Sequence, residues 1–139
     1  MEWRKYPYTG QFHKVGSANF TYRPMLDVEV SGDKESMRLE GLVDSGTDIT
    51  MMDAEIAKAL GIDSASAKKG TASGVGGEKP GFLGKVRIKV PGFKKGMTTT
   101  VLFIEGLSFP VILGQDDFFR NFLVRFDRRK QVFHLKSSV

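Results

Sequence analysis

Asp44 is the residue of this chain best placed to do chemistry. It stands in the run Gly41-Leu42-Val43-Asp44-Ser45-Gly46-Thr47-Asp48, where an apolar segment ends on a carboxylate and the chain then turns on Ser-Gly-Thr. A peptide carbonyl is a poor electrophile. One route to its hydrolysis, needing neither metal nor covalent intermediate, sets a carboxylate that takes a proton from water beside a carboxylic acid that donates one. Two identical aspartates fill both roles, because two carboxylates held close together cannot both ionise cheaply and so share a proton and titrate as a pair. The neighbouring residues suit this chemistry, since Ser45 offers a hydroxyl to backbone or to a second chain, Gly46 lets a peptide approach closely, and Thr47 can hydrogen-bond the carboxylate. Leu42 and Val43 would anchor the loop in a core. The run occurs once in 139 residues, so this chemistry requires a second copy of the chain. Taken alone, Asp-Ser-Gly is also an ordinary turn, since Asp and Ser bond nearby backbone and Gly accepts positive φ.

The surrounding elements must deliver and hold that carboxylate. Leu26, Val28 and Val30 alternate with Asp27 and Glu29, Ser31-Gly32-Asp33-Lys34 turns, and residues 37–43 return as a second strand, a hairpin that ends on Asp44. After the loop, residues 49–52 are apolar, and Asp53 can cap a short helix over residues 54–60, with Gly61 at its stop. Residues 70–84 are glycine-rich, including Gly74-Val75-Gly76-Gly77, and read as a mobile hairpin leading into a strand over 85–90. Pro91-Gly92 turns the chain, residues 98–104 are β-prone, and Pro110-Val111-Ile112-Leu113-Gly114 is a second apolar strand ending in glycine. One helical turn is expected over 115–121, then a closing hairpin from 122–127 and 131–136 around the charged tip Asp127-Arg128-Arg129-Lys130. Residues 1–20 have no clean period and read as an N-terminal extension, an arm or an edge strand, ahead of one domain over 21–139.

Composition narrows the function classes. Sixteen glycines and eleven phenylalanines among short apolar runs favour strands and tight turns. No stretch approaches the ~20 apolar residues of a membrane span, and Met1-Glu2-Trp3-Arg4-Lys5 lacks a signal-peptide core, so a cytoplasmic protein with no membrane partner is expected. The chain has no cysteine, which removes disulfides, thiol nucleophiles and thiolate metal sites. His13 and His134 are far apart and carry no ligand spacing, so no metal or other cofactor is expected, and His134 reads as a strand surface residue. The net charge of +5 is spread over Lys68-Lys69, Lys94-Lys95 and Arg128-Arg129-Lys130, separate clusters that read as solvated surface, without a specific nucleic-acid partner. Neither phosphate-binding glycine motif can be placed on residues 70–84.

The order of these parts resembles a known family. A strand ending in Asp44-Ser45-Gly46-Thr47, a glycine-rich hairpin at Gly74 to Gly77, and Ile112-Leu113-Gly114 before a short helix are similar to the retropepsin-like aspartic proteases, in particular their compact cellular and bacterial members, over roughly residues 22–136. The resemblance implies a mostly β, closed retropepsin-like β-barrel (the acid protease fold) with one short helix and a C-terminal helical turn, and an active site at a homodimer interface. It implies that Asp44 of each chain activates water or protonates the product amine, with Ser45, Gly46 and Thr47 as support, Ser45 locking the two loops across the dimer axis. Gly46 and Asp48 match positions that contact the substrate backbone. Gly74, Val75, Gly76 and Gly77 match the tip of a flap that closes over a peptide or protein substrate, and Ile112 matches a pocket residue. Two departures stand out. Thr47 replaces the alanine usual in retroviral members, and Gln115 replaces an arginine before the Asp116 position, which removes the charge for a contact that stabilises the dimer. The leading reading is therefore a homodimeric aspartic endopeptidase. The alternatives are a catalytically silent retropepsin-like interaction or dimerisation module and a basic binding protein.

Overall fold

Alternation along the chain sets the strands, and their pairing closes a ring. The computed structural model describes residues 2–15, 17–74 and 76–138. In chain order the elements are β1 (Arg4–Pro7), β2 (Thr9–Val15), β3 (Ser17–Arg23), β4 (Met25–Ser31), β5 (Ser36–Val43), β6 (Met51–Asp53), α1 (Ala54–Ala59), β7 (Lys69–Gly74), β8 (Gly77–Lys89), β9 (Gly96–Ile104), β10 (Val111–Leu113), a π-helical turn (Gln115–Phe119), β11 (Phe122–Asp127) and β12 (Val132–Ser137). In β4 the period of two buries Leu26, Val28 and Val30 and exposes Asp27 and Glu29. Pairing of Val28 with Leu39 and of Leu26 with Gly41 makes β5 its antiparallel partner.

From β5 the ladder passes to β10, β6, β9 and β8, and β8 returns to β4 through Val30 opposite Ile88, so six strands close on one another. Closure leaves the interior to side chains: Val28, Val30, Met52, Ile88, Phe103 and Leu113 are fully buried. Burying each stabilises the fold by about 1.5–3 kcal/mol. Val101, Leu102, Phe103 and Ile104 of β9 are all buried, a run apolar on both faces. Ile56, Ala57 and Leu60 give α1 its buried side. Asp53 caps this helix by accepting from the Glu55 N–H at 3.0 Å, and Gly61 at φ +79° lets the chain leave it. Among the described residues no helix is long and apolar enough to cross a membrane.

Two further pieces flank the ring. A three-stranded sheet runs in the order β1-β12-β11, and β2 pairs with β3 as a separate hairpin. Tyr6 of β1 stacks on the buried Phe133 ring of β12 with centroids 5.3 Å apart. Burial raises the Tyr6 hydroxyl above its ordinary value of 10.0, a shift that the nearby Arg4 charge partly opposes. β6 carries no strand signal in the sequence: its three residues show no alternation, and its partners, β9 and β10, lie far along the chain. Strand β8 begins at Gly77 rather than near residue 85, because its glycines are extended and paired with β7 and β9.

Candidate active site at the Asp44 loop

Asp44 lies one residue past the end of β5, and the parallel pairing of Val43 with Leu113 decides where it points. The ladder continues by one bond, from the Asp44 N–H to the Leu113 carbonyl at 3.1 Å. The chain then folds back on the side chain it has just presented. Gly46 N–H donates to Oδ1 at 2.9 Å and the Thr47 hydroxyl donates to Oδ2 at 3.0 Å, while Thr47 N–H reaches the Asp44 carbonyl at 3.3 Å. Each carboxylate oxygen thus accepts one bond from its own loop and keeps acceptor capacity for another partner. The carboxylate is fixed in direction and still reachable, since Asp44 is half-buried and Ser45, Gly46 and Asp48 are exposed. A Cβ at Gly46 would stand 3.3 Å from Asp44 Oδ1, tight enough to disturb that geometry.

A second loop grips the first. Gln115 N–H donates to the Thr47 carbonyl and Asp116 N–H to the Asp48 carbonyl, both at 2.8 Å. The Gln115 side chain donates from Nε2 to the Ser45 carbonyl at 2.7 Å, so the residue in the arginine position makes a neutral bond to the Asp44 loop of its own chain. Gly114 permits the approach: a Cβ there would lie 2.8 Å from the Thr47 oxygen and 2.9 Å from the Ile49 carbonyl carbon, both backbone. Beyond it the chain winds into the π-helical turn, where both Phe118 and Phe119 N–H groups reach the Gly114 carbonyl at 3.1 Å.

Beneath the two loops lies a buried polar network. Asp117 is 4 % exposed and Thr50 0 %. Thr50 Oγ1 donates to Asp117 Oδ1 at 2.6 Å and accepts from Gly114 N–H at 3.1 Å, and Thr99 Oγ1 donates to Asp117 Oδ2 at 2.9 Å. One hydroxyl therefore connects the segment after Asp44 to the glycine that lets the second loop approach. Sequence reasoning missed Thr50, Thr99 and Asp117. The available signal was a polar residue directly before an apolar pair, Thr50 before Met51-Met52 and Asp117 before Phe118-Phe119, since a buried polar group needs a partner.

The remaining expected residues separate into two places. Ile112 is 9 % exposed and pairs between Leu42 and Met51, on the face of β10 opposite Val111 and Leu113. Gly74 pairs with Gly77 at the tip of the β7–β8 hairpin, Gly77 has φ +101°, and a Cβ on Gly74, Gly76 or Gly77 would meet nothing within 4 Å. Val75 lies outside the described residues. The base of the same hairpin is different: a Cβ on Gly70 would lie 2.8 Å from Leu102 Cδ1, one on Gly84 2.8 Å from Phe103 Cε2, and one on Gly81 would collide with the Phe103 carbonyl oxygen. Base glycines allow the hairpin to lie against β9; tip glycines leave it open. Among the described residues no three His, Cys, Asp or Glu side chains group as a metal site.

The sequence pattern that defines aspartyl proteases matches residues 26–116, from β4 through the Asp44 loop to the loop that grips it. The chain belongs to the aspartyl protease family. Solved structures agree on the branch. The EIAV protease, solved with the inhibitor HBY-793, is 26 % identical and aligns over 68 % of this chain and 83 % of its own, with a TM-score of 0.56. A retropepsin-like aspartic protease from Rickettsia conorii shares the fold at 17 % identity, with a TM-score of 0.55 over 79 % of this chain and 88 % of its own. A comparison with curated proteins returned no match. The resemblance to retropepsin-like proteases therefore holds, and this member of the aspartyl protease family has their mostly β, closed-ring fold.

Proposed function

We propose that the chain is one subunit of a homodimeric aspartic endopeptidase that hydrolyses peptide bonds with a water held between two Asp44 carboxyl groups. The observation that carries this reading is the pinned, half-exposed Asp44 side chain, each oxygen of which accepts a single bond from its own loop. One carboxylate takes a proton from the water as it attacks the carbonyl carbon. The other, protonated, gives its proton to the departing amine, and the pair is left sharing one proton for the next cycle. Ser45, exposed beside the carboxylate, bonds the partner loop across the two-fold axis. Gly46 and Asp48 receive the substrate backbone, and Ile112 lines a side-chain pocket.

The β7–β8 hairpin, with Gly74, Val75, Gly76 and Gly77 at its tip, closes over an extended peptide and adds strand-like bonds to it. Open space around the tip glycines supports that motion. On this reading residues 21–139 are the protease domain, and residues 1–20 are an N-terminal arm whose strand β1 is carried on β12. A mixed peptide library, digested by the wild-type chain and by Asp44→Asn, tests the reading. Loss of a general base lowers the rate by about 10²–10⁴-fold. Equal cleavage by the two proteins would remove Asp44 from the chemistry.

A further inference from the structure

A cleft of about 710 Å³ opens where the turn between β8 and β9 faces the start of β1 and the start of β11. None of its lining residues belongs to the Asp44 loop or to the tip of the β7–β8 hairpin. Its floor is apolar, formed by Ile88, Phe93, Met97 and Phe122, and its rim carries three cations, Arg4, Lys94 and Lys95, against one acid, Glu2. That volume and that balance of apolar wall to a few polar groups are typical of small-molecule sites.

The wall is built rather than incidental. Phe93 meets Phe122 edge-on at 5.0 Å, and Phe122 stacks on the buried Phe118 at 4.9 Å. Arg4 lies over the Phe93 ring with its guanidinium carbon 4.9 Å from the centroid. Gly92, at φ +92°, leaves room for that guanidinium, which a Cβ there would strike. Asn121 is held by the Asp117 carbonyl at 2.6 Å and reaches the Met97 sulfur at 3.6 Å, fixing the far side of the floor. Surface cations are most often solvated or paired. Here, among the described residues, Arg4, Lys94 and Lys95 have no carboxylate partner.

The geometry points to a binding site for an amphipathic carboxylate, its apolar tail on Phe93, Met97 and Phe122 and its carboxylate between Arg4, Lys94 and Lys95. The fork of Arg4 suits a planar carboxylate. Glu2 at the same rim lowers the local positive charge and favours a monoanion over a polyphosphate. An anion without a tail leaves the floor wet, and a cationic amphiphile meets the rim head-on.

The test is a titration of the full ¹⁵N-labelled chain with dodecanoate below its micelle concentration, with dodecyltrimethylammonium and acetate as comparators. Expected are saturable shifts with one-to-one stoichiometry at the amides of Phe93, Met97 and Asn121, affinity for dodecyltrimethylammonium about tenfold weaker, and no shifts with acetate. Lys94→Gln/Lys95→Gln changes two exposed side chains and should weaken dodecanoate about tenfold without loss of fold; Arg4→Gln should do the same. Shifts that do not saturate or fall elsewhere, equal binding of the cationic amphiphile, or unchanged affinity in the double lysine variant would overturn the assignment.

Discussion

Removing the Thr50 hydroxyl should loosen the Asp44 loop more than any other change of similar size. Thr50→Val keeps the shape of the side chain and takes away its oxygen, which donates to Asp117 at 2.6 Å and accepts from Gly114 at 3.1 Å. Two groups lose a partner at once. The Asp117 oxygen forfeits a donor, worth about 1–3 kcal/mol where no water reaches, and the buried Gly114 N–H is orphaned at a similar cost. Together the change should destabilise by about 2–6 kcal/mol, against about 5–15 kcal/mol for a folded domain. Thr99→Val removes a single donor to the other Asp117 oxygen, in a part-buried setting, and should cost about 0.5–1.5 kcal/mol. Thr50→Ser keeps the oxygen and should recover most of the loss. Urea unfolding monitored by Trp3 fluorescence and far-ultraviolet circular dichroism would measure all three variants, with a midpoint shift at constant slope as the expected form. A Thr50→Val cost below about 1 kcal/mol, or a Thr99→Val cost equal to it, would refute the claim that one hydroxyl ties the two loops together.

Other changes should separate the roles of neighbouring groups. Gly114→Ala places a Cβ against two backbone groups that cannot step aside and should cost about 1–3 kcal/mol in stability, whereas the comparable change at the hairpin tip, Gly76→Ala, meets nothing within 4 Å and should leave the melting temperature unchanged. Gly81→Ala, whose Cβ would strike the Phe103 carbonyl, should destabilise even though it lies in the same hairpin; matched thermal melts of the three variants check the ordering. Because burial holds the Tyr6 proton above its ordinary value, the folded state keeps that proton when the unfolded chain has lost it. Its contribution is fully present below about pH 10 and is lost as pH rises through the folded value, and Tyr6→Phe should flatten that alkaline limb in unfolding measured from pH 8 to 11.

Sequence legibility followed the range of the interactions. The β4–β5 hairpin and the capped helix α1 could be read because alternation and an Asp53 cap are local signals, and the position of Asp44 at the end of β5 follows from them. Strand β6 could not: its identity rests on parallel pairing with β9 and antiparallel pairing with β10, contacts that leave no mark on three apolar residues. The glycines of β8 read as a loop because glycine disfavours strands in general, whereas Gly81 and Gly84 are needed where this strand lies close over Phe103. At the site, the motif gave Asp44 and the Thr47 hydroxyl that bonds it, but not the network beneath them. Thr50 and Asp117 are 67 residues apart, and only the fold brings them to 2.6 Å. Gln115 shows the same limit: by type it lacks the charge of an arginine, yet its amide reaches the Ser45 carbonyl at 2.7 Å.

The claim that two Asp44 side chains act together is tested most directly by mixing. Wild-type chain at fixed concentration, well above its dimer dissociation constant, is equilibrated with increasing Asp44→Asn chain, and the initial rate of peptide cleavage is followed. If only the wild-type homodimer is active and subunits exchange at random, equal amounts should leave about one half of the starting rate and a ninefold excess about one tenth. A rate that stays constant as Asp44→Asn chain is added, under conditions where subunit exchange is shown to occur, would mean that a single Asp44 suffices.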